Sequence, residues 1–571
     1  MAVIGIDLGT TNSLVSCFKD GKSIIIPNST GENLTPSVVS IDDEGIIITG
    51  NAAKERLITN PDSTASSFKR TIGQPYYYSL KNKNFNSTEL SALILKSLKE
   101  DAEKYLGEEV TEAVISVPAY FNQNQRKATK DAAVIAGLKV ERLISEPTAA
   151  ALSYGIQNNP DMNTVIVFDL GGGTFDVSLL EFFDGVIDVK AVSGDNHLGG
   201  DDFTKTIAAW FLTDHDLDMN ISSNEMSALI KACEIAKRTV TNSANRLLPG
   251  SGAEIKVTIG GKELSSTLTY AIFSQIVSEL MGRLSGPVYK VLQDAEIELD
   301  DVDSIILMGG STKMCIIPEF VEEEFGCNII SSLNPDETVA LGAGILAAMK
   351  AKNENLKETV LTDICPFTLG TDVLSHDDNF SSPFGSTIYD PIIERNSPVP
   401  ISIEKTYVAA TLGQKLIQVP IYQGESLDPK KNLLLGTIKL PIPINLEKRE
   451  SITVRFTYDI NGLLEVEVTS VSTGDKKSIL INQSESTFSP EELEEARKKM
   501  EALKILPWEE QENRLLLERG ERLYEESLGS KREFIAGVLT SFKKALASQN
   551  PKTIKQAAQK LKETFDSLEQ W

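Results

Sequence analysis

Two stretches of the chain place an aspartate at the end of an apolar run and follow it with glycine and threonine. Residues 3–15 read VIGIDLGTTNSLV, and residues 165–180 read VIVFDLGGGTFDVSLL. Glycines lack Cβ atoms, so the backbone amides of such turns can approach phosphate oxygens closely. A carboxylate repels phosphate, but it can hold Mg²⁺ through water ligands. Two such turns facing each other predict a clamp for one polyphosphate, whereas either turn alone is also compatible with an ordinary tight turn.

A third glycine element, MGGSTK at 308–313, ends another apolar run. If this strand end opens a helix, its amides would suit a nucleoside or a phosphate. By itself the pattern is weak, because Gly-Gly after a strand is often only a turn. Neither a Walker A lysine motif nor G-x-G-x-x-G occurs near these strands, which sets aside the P-loop and Rossmann classes.

Strand-like and helical stretches alternate from residue 1 to about 350, which predicts an α/β region. The predicted strands include residues 3–7, 113–119, 165–169 and 304–310, and the predicted helices include 89–105, 122–136 and 271–293. Because the aspartate-glycine phrase occurs twice, we expect this region to consist of two related lobes.

The second half of the chain has a different pattern of apolar and polar residues. In residues 450–468, ESITVRFTYDINGLLEVEV, the side chains of Ile452, Val454 and Phe456 alternate with polar ones, and Asn461-Gly462 supplies a hairpin turn. This pattern predicts an all-β domain.

Helices are expected after the β region, since SPEE at 489–492 is typical of a capped helix start. The stretch ENLKETVLTD at 354–363 has little periodicity and is interpreted as a linker. The predicted layout is an α/β domain at 1–353, the linker at 354–363, a β domain at 364–487 and a helical region at 488–571.

Composition limits the function classes. The chain has 571 residues, enough for two to four domains, and Lys+Arg 56 against Asp+Glu 81 gives a net charge of −25, which disfavours nucleic acid. Five scattered cysteines indicate reduced thiols, and three unpaired histidines offer no metal site. With no signal segment and no membrane-spanning run, we expect a soluble cytoplasmic protein.

Six motifs in combination identify a family resemblance. They are GIDLGTTNS at 5–13, VPAYF at 117–121, EPTAAALSYG at 146–155, FDLGGGTFDVS at 168–178, NHLGGDDF at 196–203 and GGST at 309–312. Together they resemble the seventy-kilodalton heat-shock chaperones, the DnaK-like family, over essentially the whole chain. The stretch VLTDICPF at 360–367 is similar to the HscC-type branch.

The resemblance implies a two-lobed actin/hexokinase-like ATPase domain, a β-sandwich peptide-binding domain and an α-helical lid. It implies an ATP-dependent chaperone that binds extended apolar segments of unfolded or specific client proteins, with ATP binding and hydrolysis controlling release and capture through the linker. The implied cofactors are ATP/ADP and Mg²⁺, with K⁺ as a further cation. The implied partners are client polypeptides, a J-domain co-chaperone and a nucleotide exchange factor, with no nucleic acid and no membrane.

The resemblance also assigns roles by position. The implied metal carboxylates are Asp7 and Asp169, and the implied catalytic residues are Lys69, Glu146, Asp169, Thr174 and Asp176. The implied nucleotide contacts are Thr10, Thr11, Gly171, Gly172, Gly173, Gly199, Gly200, Glu234, Lys237, Arg238, Thr241, Gly309, Gly310, Ser311, Lys313 and Asp336. The implied peptide contacts are Thr371, Val373, Leu374, Ala410, Ile417, Val419 and Ile452, and the implied allosteric residues are Pro118, Arg126, Arg142 and Asp363.

Without the resemblance, several of these residues have ordinary explanations. Lys69 would be a surface lysine beside Arg70, and the triplet Glu234, Lys237 and Arg238 would be a solvated helix face. Ordinary sandwich core would likewise explain each predicted peptide contact.

The chain also departs from the family pattern. Lys313 stands where the family usually has an arginine that stacks on adenine, and lysine stacks less well. Leu374 and Ala410 are an uncommon pair for the arch over the peptide. The segment 74–88 is short, and residues 375–393 resemble an insertion.

Two alternative functions remain at this point. A small-molecule kinase of the actin/hexokinase-like superfamily would leave the β domain and the helical region without a role. An actin-like nucleotide-dependent structural protein would not need Lys69, Glu146, Asp169 and Thr174 together. The sequence therefore favours hydrolysis coupled to peptide binding.

Overall fold

A computed structural model describes residues 2–42, 47–81, 83–140, 142–155, 163–183, 186–218, 221–242, 252–330, 333–351, 360–374, 387–460, 462–481 and, apart from 514, 515, 518, 521, 522, 525, 526 and 528, 513–569. The chain divides into two compact units, Met1–Pro366 and Phe367–Trp571. No helix within these described ranges is long and apolar enough to cross a membrane.

The first unit contains strands and helices in alternation. Its strands are β1 (Ala2–Asp7), β2 (Asn12–Lys19), β3 (Lys22–Ile26), β4 (Thr35–Pro36), β5 (Val38–Ile41), β6 (Ile47–Thr49), β7 (Thr64–Ser66), β8 (Tyr77–Leu80), β9 (Lys83–Asn86), β10 (Val110–Val117), β11 (Leu143–Ser145), β12 (Thr164–Leu170), β13 (Phe175–Phe183), β14 (Val186–Asp195), β15 (Gly252–Ile259), β16 (Lys262–Thr269), β17 (Ser304–Met308), β18 (Ile329–Ile330) and β19 (Val360–Ile364). Its helices are α1 (Gly50–Thr59), α2 (Ser87–Leu106), α3 (Gln123–Ile135), α4 (Glu146–Tyr154), α5 (Gly200–Asp214), α6 (Ser223–Val240), α7 (Tyr270–Ile276), α8 (Ser278–Ala295), α9 (Ile316–Phe325) and α10 (Thr338–Lys350).

Two sheets of the first unit share one topology. The first sheet has the order β11-β10-β1-β2-β3, and the second has the order β18-β17-β12-β13-β14-β19. In each, the strand that carries the aspartate-glycine phrase pairs antiparallel with the next strand and parallel with a later one. The sequence repeat is therefore a repeat of structure, and both glycine turns connect equivalent strands. We call residues 2–155 the first lobe and residues 163–330 the second lobe.

Helix α10 packs closely because its sequence, TVALGAGILAAMK, is rich in small residues. A Cβ on Gly342 would lie 1.7 Å from the carbonyl oxygen of Ala149 in α4, and a Cβ on Gly5 would lie 2.2 Å from the amide nitrogen of Gly344. The core that α10 and α4 share includes Val165 and other side chains from strands of both sheets. The two lobes are thus joined by one apolar core.

Local signals explain where several helices begin. Helix α3 starts at a capping box of Asn122 and Gln125, and α6 starts at one of Ser222 and Glu225. In each box the first side chain accepts a hydrogen bond from the backbone of the second residue, whose side chain in turn accepts one from the backbone of the first. These boxes satisfy amides that a helix N-terminus otherwise leaves without partners.

The second unit contains two antiparallel four-stranded sheets and two long described helices. Its strands are β20 (Leu369–Leu374), β21 (Thr387–Ile393), β22 (Pro398–Val399), β23 (Ile401–Val408), β24 (Leu416–Gln423), β25 (Leu433–Pro441), β26 (Ser451–Tyr458), β27 (Leu464–Ser470) and β28 (Lys476–Ile481), and its helices are α11 (Gly529–Ala547) and α12 (Pro551–Glu569). The sheet orders are β21-β20-β24-β25 and β23-β26-β27-β28.

The alternation predicted in residues 450–468 is confirmed. The side chains of Ile452, Val454 and Phe456 are buried, and β26 and β27 form an antiparallel hairpin in which Gly462 has a φ of +76°. Asn461, the capping box at 489–492 and residues 375–386 of the predicted insertion lie outside the described residues. The remainder of that predicted insertion is strand β21.

Three elements differ from the sequence expectation. The helix expected at 271–293 is two helices, α7 and α8, which meet at Val277. The element at 308–313 opens a four-residue 3₁₀ turn, Gly310–Lys313, rather than an α-helix, because Gly309 leaves the strand with a φ of +78°. At the end of the stretch interpreted as a linker, 354–363, Val360–Ile364 forms β19 and pairs in parallel with β14. Residues 354–359 of that stretch lie outside the described residues.

We predict opposite effects for two mid-helix glycine substitutions. Gly342→Ala should lower the stability of the protein by about 3 kcal/mol, because the new methyl group would overlap the backbone of α4. Gly282→Ala, in α8, should raise it by about 1 kcal/mol, because its position faces open space and alanine has the higher helix propensity. Thermal unfolding of the full chain measures both changes, and equal effects would contradict the packing described for α10.

Candidate functional site

A cavity of about 500 Å³ lies in the first unit, where the two aspartate-glycine turns face each other. Both lobes contribute to its walls. The predicted site residues that line it are Asp7, Thr10, Thr11, Lys69, Glu146, Asp169, Gly171, Gly172, Thr174, Gly200, Glu234, Lys237, Arg238, Thr241, Gly309, Gly310, Ser311, Lys313 and Asp336. The structure therefore brings together most of the residues that the sequence singled out in this unit.

Three predicted residues lie behind the cavity wall. A Cβ on Gly173 would lie 2.5 Å from Nε of Arg70, and a Cβ on Gly199 would lie 2.6 Å from the backbone of Gly172. These glycines are required for close packing of the wall. Asp176 is buried next to β12, in register with Asp169.

Further residues line the cavity without having been predicted. They are Asn12, Leu14, Leu34, Asp201, Asn242, Met314, Pro335 and Val339, whereas Gly9, which also lines the cavity, belongs to the first predicted glycine turn. The motif that contains Gly199 and Gly200 continues with two aspartates, so Asp201 could have been found from it. The apolar members carry no chemical signal in the sequence, and only the fold shows that they lie at the cavity.

The floor of the cavity holds one lysine among several carboxylates. Nζ of Lys69 donates a hydrogen bond to Oε1 of Glu146 at 3.0 Å, and both side chains are buried. Oγ of Ser116 donates to Oδ1 of Asp7 at 2.7 Å. The amide of Tyr120 donates to Oδ1 of Asp176 at 3.3 Å.

Burial and mutual repulsion dominate the electrostatics of this floor. Burial, together with the nearby charge of Glu146, raises the pKa of Asp7 to about 7 and that of Asp176 to about 7. The same two causes raise the pKa of Asp169 well above its ordinary value. Ionised carboxylates are therefore disfavoured here until a cation joins Lys69 in compensating their charge.

The carboxylates fit a hydrated divalent cation better than a directly coordinated one. Among the described residues, no three His, Cys, Asp or Glu side chains are placed to hold one ion together. Asp7 and Asp169 both line the cavity, and Oδ2 of Asp176 is buried without a hydrogen-bond partner in the described part of the chain. Carboxylates that reach an ion through its waters are typical of Mg²⁺.

The glycine turn at residues 171–173, called the second glycine turn, is held by hydrogen bonds to its carbonyl oxygens. The first amides of α5, from Gly200 and Asp201, donate to the carbonyls of Gly171 and Gly172 at 3.0 and 2.8 Å. Oγ of Ser311 donates to the carbonyl of Gly171 at 2.7 Å. A carbonyl oxygen facing phosphate would repel it, so tying these oxygens to α5 and the 3₁₀ turn suits a phosphate-binding loop.

The far end of the cavity carries a connected set of polar side chains. Glu234 accepts hydrogen bonds from Thr204 at 2.6 Å and from Nε of Arg238 at 2.7 Å, and its Oε2 lies 2.6 Å from Nζ of Lys237. Lys313 and Asp336 form an ion pair. Lys237 is buried in this network, so these groups are more than a solvated helix face.

The predicted allosteric residues lie elsewhere in the first unit. Pro118 and Arg126 are buried, and Arg126 donates hydrogen bonds to the carbonyls of Phe121 and Ala119 at 3.2 and 3.3 Å. Burial lowers the pKa of Arg142, and the nearby negative charge of Asp363 opposes that change. Arg142 therefore lies within electrostatic reach of the end of β19.

The predicted peptide contacts lie in the second unit, on both of its sheets. Thr371, Val373 and Leu374 lie on β20, Ile417 and Val419 on β24, and Ile452 on β26, while Ala410 follows β23. Leu374 is 48% exposed, whereas Val419 and Ile452 are buried.

Comparison with known proteins gives consistent matches. A family model described as Hsp70 protein matches residues 3–83 and 77–570. The chain is 41% identical over 490 residues to the chaperone protein DnaK of Thermosipho africanus (strain TCF52B), covering 84% of this chain and 80% of that protein. It is 40% identical over 489 residues to the chaperone protein DnaK of Thermotoga neapolitana, with the same coverage of both chains.

We predict that Asp176→Asn stabilises the protein in the absence of nucleotide and divalent cation, and more so at high pH. The pKa of Asp176 is raised from 3.8 to about 7, so the fold disfavours its ionised form, and stability falls as pH rises through this window. The gain from asparagine should approach an upper limit of roughly 4 kcal/mol at pH 8 and shrink towards pH 4. Thermal unfolding at several pH values measures it. Asp218→Asn, at an exposed position, is the control, and an equal pH dependence in both variants would contradict the buried-carboxylate account.

Proposed function

This chain belongs to the Hsp70 family and is an ATP-dependent chaperone with ATPase activity. From that premise, we propose that ATP binds in the cavity between the two lobes and that the second unit binds client polypeptides. The observation that carries this proposal is the convergence of both aspartate-glycine turns and the Lys69–Glu146 pair on one cavity.

The proposed layout follows the family's domains. Residues 1–353 form the actin/hexokinase-like ATPase domain, 354–363 the linker, 364–487 the β-sandwich peptide-binding domain and 488–571 the helical lid. The shared strand order of the two sheets in the first unit supports the two-lobed assignment. The two four-stranded sheets support the sandwich, and α11 and α12 support the lid.

In the proposed site, the backbones of the two glycine turns bind the phosphates. Thr10 and Thr11 contribute hydroxyl groups from the first turn, and Thr174 contributes one from the second. Asp7 and Asp169 would hold Mg²⁺ through waters, and the bound ion would supply positive charge that offsets the charge of the phosphates. A bound K⁺ would add to the same compensation. Glu234, Lys237, Arg238, Lys313 and Asp336 surround the nucleoside.

Lys69 is proposed to position the water that attacks the terminal phosphate. Its ammonium is held by Glu146 at 3.0 Å and lies 5.5 Å from the centre of the Phe121 ring, so its location is restricted before substrate binds. Phosphoryl transfer to water depends on such positioning and on charge stabilisation. Glu146 and Asp176 complete the set of groups that orient water, while Thr174 contacts the terminal phosphate.

Peptide binding is assigned to the groove residues of the β domain. An extended apolar segment would add its backbone to a strand edge and place a side chain near Val419 and Ile452. Leu374, which is 48% exposed, and Ala410 would close over it. Pro118, Arg126, Arg142 and Asp363 would transmit the nucleotide state between the two sites, a coupling that must act in both directions.

The remaining assignments complete the proposal. A J-domain co-chaperone and a nucleotide exchange factor would act on the ATPase domain, in the cytoplasm, and the HscC-type branch stays the proposed subgroup. The kinase and structural-protein alternatives are not favoured, because the curated relatives described above are all named as chaperones.

We predict that Lys69→Ala separates ATP hydrolysis from ATP-triggered peptide release. Hydrolysis should fall by about 10²–10³-fold, the usual effect of removing one charge-stabilising group, whereas ATP should still accelerate release of a fluorescent apolar heptapeptide. Single-turnover hydrolysis and peptide off-rates with ADP and with ATP measure the two activities. Lys256→Ala, at an exposed lysine, should change neither, and release that ignores nucleotide in the unaltered protein would refute the coupling.

We predict that Leu374→Ala weakens peptide binding, whereas Leu427→Ala does not. Both leucines are exposed on the β domain, at 48% and 62%, but only Leu374 is assigned to the groove. Loss of its contact should accelerate peptide release in the ADP state by about tenfold, the equivalent of 1.4 kcal/mol. Peptide off-rates measure the effect, and similar rates for the two variants would argue against this groove.

A further inference from the structure

Arg70, the residue after the proposed catalytic lysine, connects the two lobes behind the second glycine turn. It lies in a 3₁₀ turn of the first lobe, Phe68–Thr71. Its Nη1 and Nη2 donate hydrogen bonds to the two carboxylate oxygens of Asp202, at 3.2 and 2.7 Å. Nη2 also lies 3.3 Å from the carbonyl oxygen of Gly172, to which it donates. Asp202 and Gly172 both belong to the second lobe.

The geometry distinguishes this contact from an ordinary surface ion pair. The side chains of Arg70 and Asp202 are only 15% and 19% exposed, and the guanidinium binds both oxygens at once. Two-point arginine–carboxylate contacts are stronger and more directional than single ones. Nε of Arg70 is buried against the glycine turn, because a Cβ on Gly173 would lie 2.5 Å from it.

The groups that Arg70 binds are themselves held together. The carboxylate of Asp202 accepts a hydrogen bond from the amide of Gly199 at 2.9 Å, which fixes it in the first turn of α5. The amides of that same turn hold the carbonyls of Gly171 and Gly172. Arg70 therefore binds a unit made of the second glycine turn and the start of α5.

A second contact joins Ser67, three residues before Arg70, to Asp201, the residue before Asp202. Oγ of Ser67 donates a hydrogen bond to Oδ2 of Asp201 at 3.0 Å. Ser67 has a φ of +54°, a left-handed conformation that is uncommon for serine and that places it at the start of the 3₁₀ turn. Four consecutive residues, 67–70, thus supply two interlobe contacts and, between them, Lys69.

We propose that Arg70 is a positioning residue that holds the lobe carrying Lys69 against the second glycine turn and so limits the rate at which nucleotide leaves. This inference rests on the proposed nucleotide site. The lobes share one apolar core, so the opening proposed here is a separation of the lobes away from that core. That separation breaks the contact between Arg70 and Asp202. Nucleotide release is thereby coupled to one identified ion pair.

The test is the dissociation rate of a fluorescent ADP from the full-length protein, measured by displacement with excess ADP. Arg70→Gln and Asp202→Asn should each accelerate release by about tenfold, the range of one charge-assisted hydrogen-bond pair. The double variant should release no faster than the faster single variant, because both substitutions remove the same interaction. Arg70→Lys, which keeps the charge but loses the two-point geometry, should also release faster than the unaltered protein.

Lys205 provides a matched control. Its Nζ lies 3.7 Å from Oδ1 of the same aspartate, but it belongs to α5 itself and is 63% exposed, so this ion pair stays within the second lobe. Lys205→Gln should leave ADP release unchanged. Single-turnover hydrolysis of bound ATP in Arg70→Lys should change less than threefold, because a positioning residue that acts through lobe closure does not touch the reacting atoms.

Several outcomes would overturn the inference. Unchanged ADP release in a folded Arg70→Gln protein would do so, and so would effects of Arg70→Gln and Asp202→Asn that multiply in the double variant. A loss of single-turnover hydrolysis in Arg70→Lys without faster release would make the residue catalytic instead. If the unaltered protein bound no ADP, the proposed nucleotide site itself would be wrong, and this inference with it.

Discussion

The repulsion among buried carboxylates at the floor of one cavity is the constraint on which this structure depends. Asp7, Asp169 and Glu146 line the cavity, and Asp176 is buried behind its wall. Lys69 is the positive charge that the described residues place among them. Protein interiors tolerate such groups only when the surrounding fold is stable enough to hold them. The shared core and the closely packed helix α10 supply that stability. A ligand that arrives with a cation then relieves a repulsion that the fold already contains.

Glycine provides the second constraint, because several positions of the cavity wall are packed too closely for a side chain. A Cβ on Gly172, Gly173, Gly199, Gly200 or Gly309 would lie 1.9–2.6 Å from a neighbouring backbone or side-chain atom. This close packing accompanies main-chain hydrogen bonds from the amides of Gly200 and Asp201 to the carbonyls of the second glycine turn. Arg70 of the opposite lobe donates hydrogen bonds to the same wall, at Gly172 and Asp202. The closely packed turn thus lies next to a contact that would break if the lobes separated.

The sequence predicted the residues of the site better than it predicted the ends and types of the helices and turns around it. Aspartates at strand ends followed by glycine carry a chemical signal that does not depend on distant packing, and Asp7, Asp169, Gly171 and Gly172 all line the cavity. The alternation around Val454 likewise follows from one buried sheet face. By contrast, the break between α7 and α8 and the 3₁₀ turn at 310–313 follow from local backbone geometry that periodicity does not register.

Residues whose role depends on contacts with distant parts of the chain could not be predicted from sequence patterns. Arg70 looked like half of a surface basic pair, because its partners, Asp202 and Gly172, are more than a hundred positions away. Val360–Ile364 had too little periodicity to be identified as a strand, since β19 adopts its conformation by pairing along β14. Roles for the site residues in catalysis and in peptide binding came from the family resemblance, not from residue patterns.

The pairing of β19 has a consequence for the sheet that receives it. Hydrogen bonds with β13 satisfy one side of β14, and those with β19 satisfy three positions on the other, from Val186 to Asp188. If β19 detaches, those positions become an exposed strand edge with backbone groups available to any extended chain. Strand β19 thus also covers this edge, and its detachment would leave part of the sheet open to pairing with another chain. Pairing with β19 therefore keeps these three positions from pairing with another extended chain.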